Sequence, residues 1–234
     1  MDAFKRNASA RMRCAAVFFS FLAAAPVSAS TFRLESTTIV LDERDARTSF
    51  SVTNTGEDPI LLLTTIEDLD NRKLAENILI NPAIIRIDPG QSQFVNFELK
   101  KGLALESEHM LKASFEGVTQ RVTHGTVMPM RHEIGFIVQP AVTPVVNKPW
   151  EGLRFKQEAD HIEINNPGKH VVRLGASLKL QPSGQVVTLE HPYLMPGARV
   201  TLPVDQGVNV NGVTVIPLSR YGFTKDPVTL DVTH

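Results

Sequence analysis

Asn81-Pro82-Ala83-Ile84-Ile85-Arg86-Ile87-Asp88-Pro89-Gly90-Gln91-Ser92-Gln93 runs straight into Phe94-Val95-Asn96-Phe97-Glu98-Leu99. Ile84–Ile87 is a short apolar run, and the closing residues alternate apolar with polar at the period of a strand. Between them Pro89 presets the first central position of a tight turn, and Gly90 supplies the positive φ that follows. The stretch therefore reads as strand, Pro-Gly turn, strand.

The same grammar extends in both directions. Runs rich in Val, Ile, Leu, Thr and Phe recur at Thr37–Leu41, Thr48–Asn54, Ile60–Asp68, His109–Glu116 and Val127–Val138, with Asp58-Pro59 and Lys101-Gly102 as punctuation. Helical periodicity is absent. Pro140, Pro144 and Pro149 then fall close together, and a segment that repeatedly loses its backbone donor cannot be a central strand. It reads as a stiff linker. Further short strands are expected at Leu153–Gln157, His161–Asn165, Val171–Leu180, Gln185–Leu189, Arg199–Pro203, Gly212–Leu218 and Val228–Val232. The pattern predicts an all-β chain of two immunoglobulin-like β-sandwich domains, 30–140 and 150–234, joined by a short Pro-rich linker at 141–149.

Residues 1–29 read as a secretory signal. Lys5, Arg6, Arg11 and Arg13 precede the apolar run Ala15–Ala25, and Val27-Ser28-Ala29 offers small residues for cleavage. The run is short for a bilayer span, and no later stretch approaches the ~20 apolar residues a span needs. Export to the periplasm and no membrane insertion are the expectations. The single cysteine, Cys14, lies inside this signal, so the mature chain must rely on its cores rather than on disulfides. A formal net charge of −1 with no basic cluster after the signal argues against nucleic acid as a partner.

Motifs in fixed order then point to a family. Val52-Thr53-Asn54 precedes a polar turn and Pro59, and Asn81-Pro82 with Asp88-Pro89-Gly90-Gln91 follows. Later come Gly152-Leu153-Arg154-Phe155, Ile162-Glu163-Ile164-Asn165-Asn166-Pro167, Met195-Pro196-Gly197 and Tyr221-Gly222. In this order the chain resembles the periplasmic pilus-assembly chaperones of the PapD type over nearly all its mature length. The resemblance implies pilin subunits and an outer-membrane usher as partners. It also implies a mode of action in which the chaperone lends an edge strand to a subunit lacking its last one, a form of β-augmentation. Whether the free protein caps that edge by dimerising stays open.

By the resemblance, the lending strand is Thr126–Val138, with Met128, Met130, His132, Ile134 and Phe136 on one face. Methionine suits a strand that must fit several related grooves. Ile134 and Phe136 fit their own domain's core equally well. Pro129 cannot donate a ladder hydrogen bond and would blunt the edge. The connection Gly117–Gly125 is short and carries no disulfide, as in the short-loop class that serves rod-like pili.

Family members hold the subunit's C-terminal carboxylate with an arginine and a lysine, whose matching positions here are Thr38 and Gly135. Neither supplies charge. Arg33 in the first strand and Arg131 in the lending strand are the candidate substitutes, with Thr38 offering only a hydroxyl and Arg131 the favoured anchor. The family's acid–arginine–acid link between domains corresponds to Glu108, Gln139 and Arg220, which predicts a direct Glu108–Arg220 pair bridged by Gln139.

Catalysis finds little support. The chain has no Gly-x-Ser-x-Gly elbow, no His-Glu-x-x-His, no phosphate-binding glycine loop and no cysteine outside the signal. His109, His124, His132, His161, His170, His191 and His234 show no metal-ligand spacing. Neither a cofactor nor a metal is expected. A secreted structural or tip protein that reuses the chaperone fold is the alternative reading, kept open by the two lost cations.

Overall fold

The computed structural model describes residues 32–119 and 129–234. The expected signal, Met128 and most of the connection after Gly117 lie outside them. The first half holds nine strands: β1 (Phe32–Leu34), β2 (Thr38–Asp42), β3 (Arg47–Asn54), β4 (Ile60–Asp68), β5 (Ile78–Asn81), β6 (Ile84–Ile87), β7 (Ser92–Leu99), β8 (His109–Thr119) and β9 (Met130–Gln139). They form a four-stranded sheet, β1-β3-β7-β5, facing a five-stranded sheet, β2-β9-β8-β4-β6.

Alternation explains the core between them. In β7, Val95, Phe97 and Leu99 point inward while Phe94 is exposed. Phe50 of β3 stacks on Phe115 of β8 at 5.3 Å, and Phe97 meets Phe136 of β9 at 5.2 Å. Full burial of each such ring is worth about 1.5–3 kcal/mol. The Pro-Gly turn forms as read: Gln91 N–H donates to Asp88 O at 3.0 Å, and Gly90 has φ +71. Buried Asn54 ties this turn to the early hairpin. Its side-chain amide donates to Asp58 O (2.8 Å) and Ile87 O (3.0 Å), while its backbone bonds Gly90 and Gln91.

The second half adds β10 (Arg154–Glu158), β11 (His161–Asn165), β12 (Val172–Arg173), β13 (Ser177–Gln181), β14 (Val186–Thr188), β15 (Tyr193–Leu194), β16 (Arg199–Pro203), β17 (Gly212–Val215) and β18 (Val228–Thr233). Seven of them form one sheet, β14-β13-β17-β18-β10-β11-β16, with β12-β15 as a separate pair. Trp150, Phe155, Ile162, Ile164 and Val213 belong to a second core distinct from the first. Asn166 repeats the role of Asn54, donating to His170 O (2.8 Å) and Leu194 O (3.1 Å). The only helical segments among the described residues are two 3-10 turns, Ala75–Asn77 and Pro149–Gly152. No described helix is long and apolar enough to cross a membrane.

The strand expected at Val171–Leu180 is divided. After β12, Leu174 bridges Pro217 and Gly175 N–H donates to Ile216 O (2.7 Å), so the chain leaves one sheet before β13 joins another. The first strand is divided too. β1 pairs antiparallel with β3, whereas β2 pairs parallel with β9 in the opposite sheet.

Candidate functional site

The sheet change between β1 and β2 uncovers an edge. β8 pairs with β9 from His109↔Val138 to Gly117↔Met130. On the other side β2 covers β9 only from Thr38↔Gly135 to Asp42↔Gln139. Met130–Ile134 therefore has no strand partner on its outer edge among the described residues. Backbone groups left in this state are a template for another strand.

Side chains on this strip divide by parity. Met130 and Ile134 are half-buried and pack against the first core, and the His132 ring meets Phe32 edge-on at 4.8 Å. Arg131 and Glu133 point outward into a charged network. Arg131 pairs with Glu116, and Lys112 bridges Glu133 (3.4 Å) and Glu67 (2.9 Å). Phe136 is 0% exposed and packs on Phe97, so its expected place in a partner-facing set is corrected: its ring is spent on its own domain.

Where β2 and β9 run together, the edge opens into the cleft between the two halves. Thr38 is buried and Gly135 lies beside it. Arg173, from β12 of the second half, enters this gap, and its Nη1 donates to Thr38 Oγ1. A Cβ built on Gly135 would stand 3.6 Å from the Arg173 guanidinium carbon. One guanidinium thus occupies the neighbourhood of both positions where the resemblance calls for a cation. No carboxylate lies within ion-pair distance of Arg173 among the described residues, and burial pushes its pKa down. A partly desolvated cation whose one described partner is a neutral hydroxyl is poised to accept an anion. Arg173, Arg220 and Lys225 all line a cavity of about 210 Å³ here, with Tyr221 and Ile137.

The two other proposed anchors sit elsewhere. Arg33 is exposed on β1, opposite Thr53, in the sheet that does not contain β9. It cannot share a face with Thr38, because the chain changes sheets between them. Arg131 lies on the same face as Gly135 but four residues along, about 13 Å away at strand rise, and is engaged with Glu116. Arg173 was missed because only the fold brings it to Thr38. Its one sequence signal is an arginine set among apolar neighbours in Val171-Val172-Arg173-Leu174.

The expected interdomain link forms in part. Gln139 is fully buried; its Oε1 accepts from Arg220 Nη2 (3.2 Å) and its Nε2 donates to Thr143 O (2.7 Å). The direct Glu108–Arg220 pair does not form. Glu108, 6% exposed, instead accepts the Val171 N–H at 2.9 Å, while its own N–H donates to Lys169 O at 2.8 Å. Burial raises the Glu108 pKa, opposed by the Val171 hydrogen bond and by the charges of His170 and Arg220. Beside these bonds Met110, Ile137 and Val171 form a small apolar seam, with Leu69, Tyr193 and Met195 packed against it.

Comparison with known proteins agrees with this fold. Residues 31–144 match the family of pili and flagellar-assembly chaperones, PapD N-terminal domain. The uncharacterized fimbrial chaperone YhcA of Escherichia coli (strain K12) is 29% identical over 204 residues, spanning 85% of this chain and 89% of that protein. The E. coli chaperone DraB shares the fold with a TM-score of 0.73 at 18% identity, covering 87% of this chain and 98% of that one. A chain from the Salmonella enterica complex of SafA pilin with the SafB chaperone superposes with a TM-score of 0.74 at 18% identity, covering 88% and 98%. Residues 31–144 thus match the pili and flagellar-assembly chaperone family, and over most of its length the chain is similar to a fimbrial chaperone.

Proposed function

We propose that this protein works in the periplasm, once residues 1–29 are removed, as a chaperone that holds fimbrial subunits by lending them the edge of β9 and passes them to an outer-membrane usher. The observation that carries this reading is the unpaired edge at Met130–Ile134. A subunit strand laid against it gains main-chain hydrogen bonds, and the alternation of Met130, His132 and Ile134 sets its register. Arg173 with Thr38 gives the cleft end of that strand an anion holder, the role the resemblance assigns to a subunit's C-terminal carboxylate. The tip-protein alternative rested on the absence of a cation there, and the position of Arg173 beside Thr38 supports the chaperone reading over it.

Co-expression with a candidate pilin tests the proposal. The subunit should survive periplasmic proteolysis and co-purify with this chain at one to one, and the chain should be absent from the assembled fibre. Recovery of this chain as a component of the fibre would overturn it.

A further inference from the structure

On the far side of the seam, Asp68 ends β4, Asp70 follows in the turn, and His109 opens β8. One ligand atom from each of the three lies within 4.8 Å of the others. His109 is 1% exposed, yet neither ring nitrogen has a hydrogen-bond partner among the described residues. Its Nε2 lies 3.4 Å from Asp70 Oδ1 without completing a hydrogen bond. A buried imidazole left bare is costly, and nearly every such group in folded proteins has found a partner. Burial pushes the His109 pKa down, opposed by the charges of Asp70 and Asp68.

The two carboxylates are already aimed. Asp68 Oδ1 accepts from Leu74 N at 2.8 Å, and both its oxygens accept from Ala75 N at 3.2–3.3 Å. Asp70 Oδ1 accepts from Arg72 N at 3.0 Å, and its Oδ2 lies 3.4 Å from Arg72 Nε. Backbone donors of this kind fix ligating carboxylates in metal sites, where such outer partners set orientation.

We propose that Asp68, Asp70 and His109 form a site for a divalent transition-metal ion of the zinc class. An imidazole beside two carboxylates suits zinc, whereas calcium and magnesium favour all-oxygen shells. Tetrahedral ligand bonds of about 2.0–2.2 Å put two ligands of one ion about 3.3–3.6 Å apart, a separation that His109 Nε2 and Asp70 Oδ1 already have at 3.4 Å, so the remaining atom has to close by about an ångström. Three protein ligands leave a fourth position for water, and His109 lines a cavity of about 560 Å³ with Arg72, Leu74 and Ser107 through which an ion can enter. Bound there, the ion ties the turn after β4 to the start of β8, one residue from Glu108. Tyr193 of the second half lies on the same side, its phenol pKa raised first by burial and then by the Asp70 charge. The site is independent of the strand-lending edge.

The test uses untagged mature protein stripped with EDTA, titrated with zinc sulfate by calorimetry and followed by thermal unfolding, with magnesium chloride as control. One zinc per chain should bind, magnesium should give no saturable heat, and the unfolding midpoint should rise by at least about 5 °C at a hundredfold excess over the dissociation constant. Asp70→Asn, at the exposed rim where the fold tolerates it, and His109→Gln should each weaken zinc at least tenfold. His161→Gln removes a surface imidazole flanked by Glu158 and Asp160 and should leave binding unchanged. Absence of saturable zinc binding overturns the proposal, as does affinity that survives Asp70→Asn or disappears with His161→Gln.

Discussion

Three small residues make the space that Arg173 fills. A Cβ on Gly222, which holds φ +88, would stand 2.1 Å from Thr37 Oγ1 and 3.3 Å from Arg173 Nη1. At Gly135 a Cβ would meet Met110 Cε at 2.9 Å and face the guanidinium. Thr38 keeps only a hydroxyl where a longer cation would collide with the arginine's head. A lysine at 135 and an arginine at 173 therefore compete for one volume, and this chain has taken the second. Arg173→Ala should weaken subunit capture at least about tenfold, the scale of a lost charge-assisted hydrogen bond. Arg173→Lys should lose less, since it keeps the charge without the fork. Arg131→Ala should change affinity less than about threefold, because its partner Glu116 is on its own sheet. Adding Gly135→Lys to Arg173→Ala should recover part of the loss. Titration of each variant with a purified subunit measures all four, and unchanged capture by Arg173→Ala would remove this residue from the site.

At the scale of elements, β9 divides into two working halves. From Gly135 onward it is a central strand with partners on both sides, and before Gly135 it is an edge. Met130→Asp should abolish subunit capture while leaving the unfolding midpoint nearly unchanged, since a half-buried side chain at the strand's end can turn its charge to water until a groove closes over it. Phe136→Ala should do the reverse. It empties a core position at a cost of about 3–5 kcal/mol, read as lost thermal stability whether or not a subunit is present. Capture by Met130→Asp equal to that of the native chain would place the lending edge elsewhere. This division was only half legible in the sequence. Continuous runs such as Ile60–Asp68 and Arg199–Pro203 give their strands with correct bounds, because length and turn punctuation suffice. β1, three residues long, leaves too little pattern to read, and its change of sheet depends on the β3 edge it finds. Hence the open edge of β9, which exists only because β1 leaves, could be assigned by resemblance but not by periodicity. Arg33 was misplaced for the same reason.

For the whole molecule, the question is what holds one sandwich against the other. Each half has its own core, and the seam between them is small, so its polar bonds matter out of proportion to their number. Gln139 and Glu108 act in different ways. Gln139 gathers the chain after β9 and the Arg220 guanidinium with a neutral amide, so the central position carries no buried charge. Glu108 reaches across to a backbone N–H that has no other acceptor among the described residues. If its role is the hydrogen bond and not the charge, two variants should separate. Glu108→Ala leaves the Val171 N–H buried and unmet, which costs about 1–3 kcal/mol. It should lower the unfolding midpoint and broaden the distribution of angles between the halves in small-angle scattering. Glu108→Gln keeps an acceptor oxygen at the same reach and sheds a carboxylate that burial already penalises. It should match or exceed the native midpoint at neutral pH and leave the scattering profile unchanged. Should Glu108→Gln fall as far as Glu108→Ala, the charge itself would be holding the halves together, through the nearby Arg220 and His170, and the hydrogen bond to Val171 would be secondary.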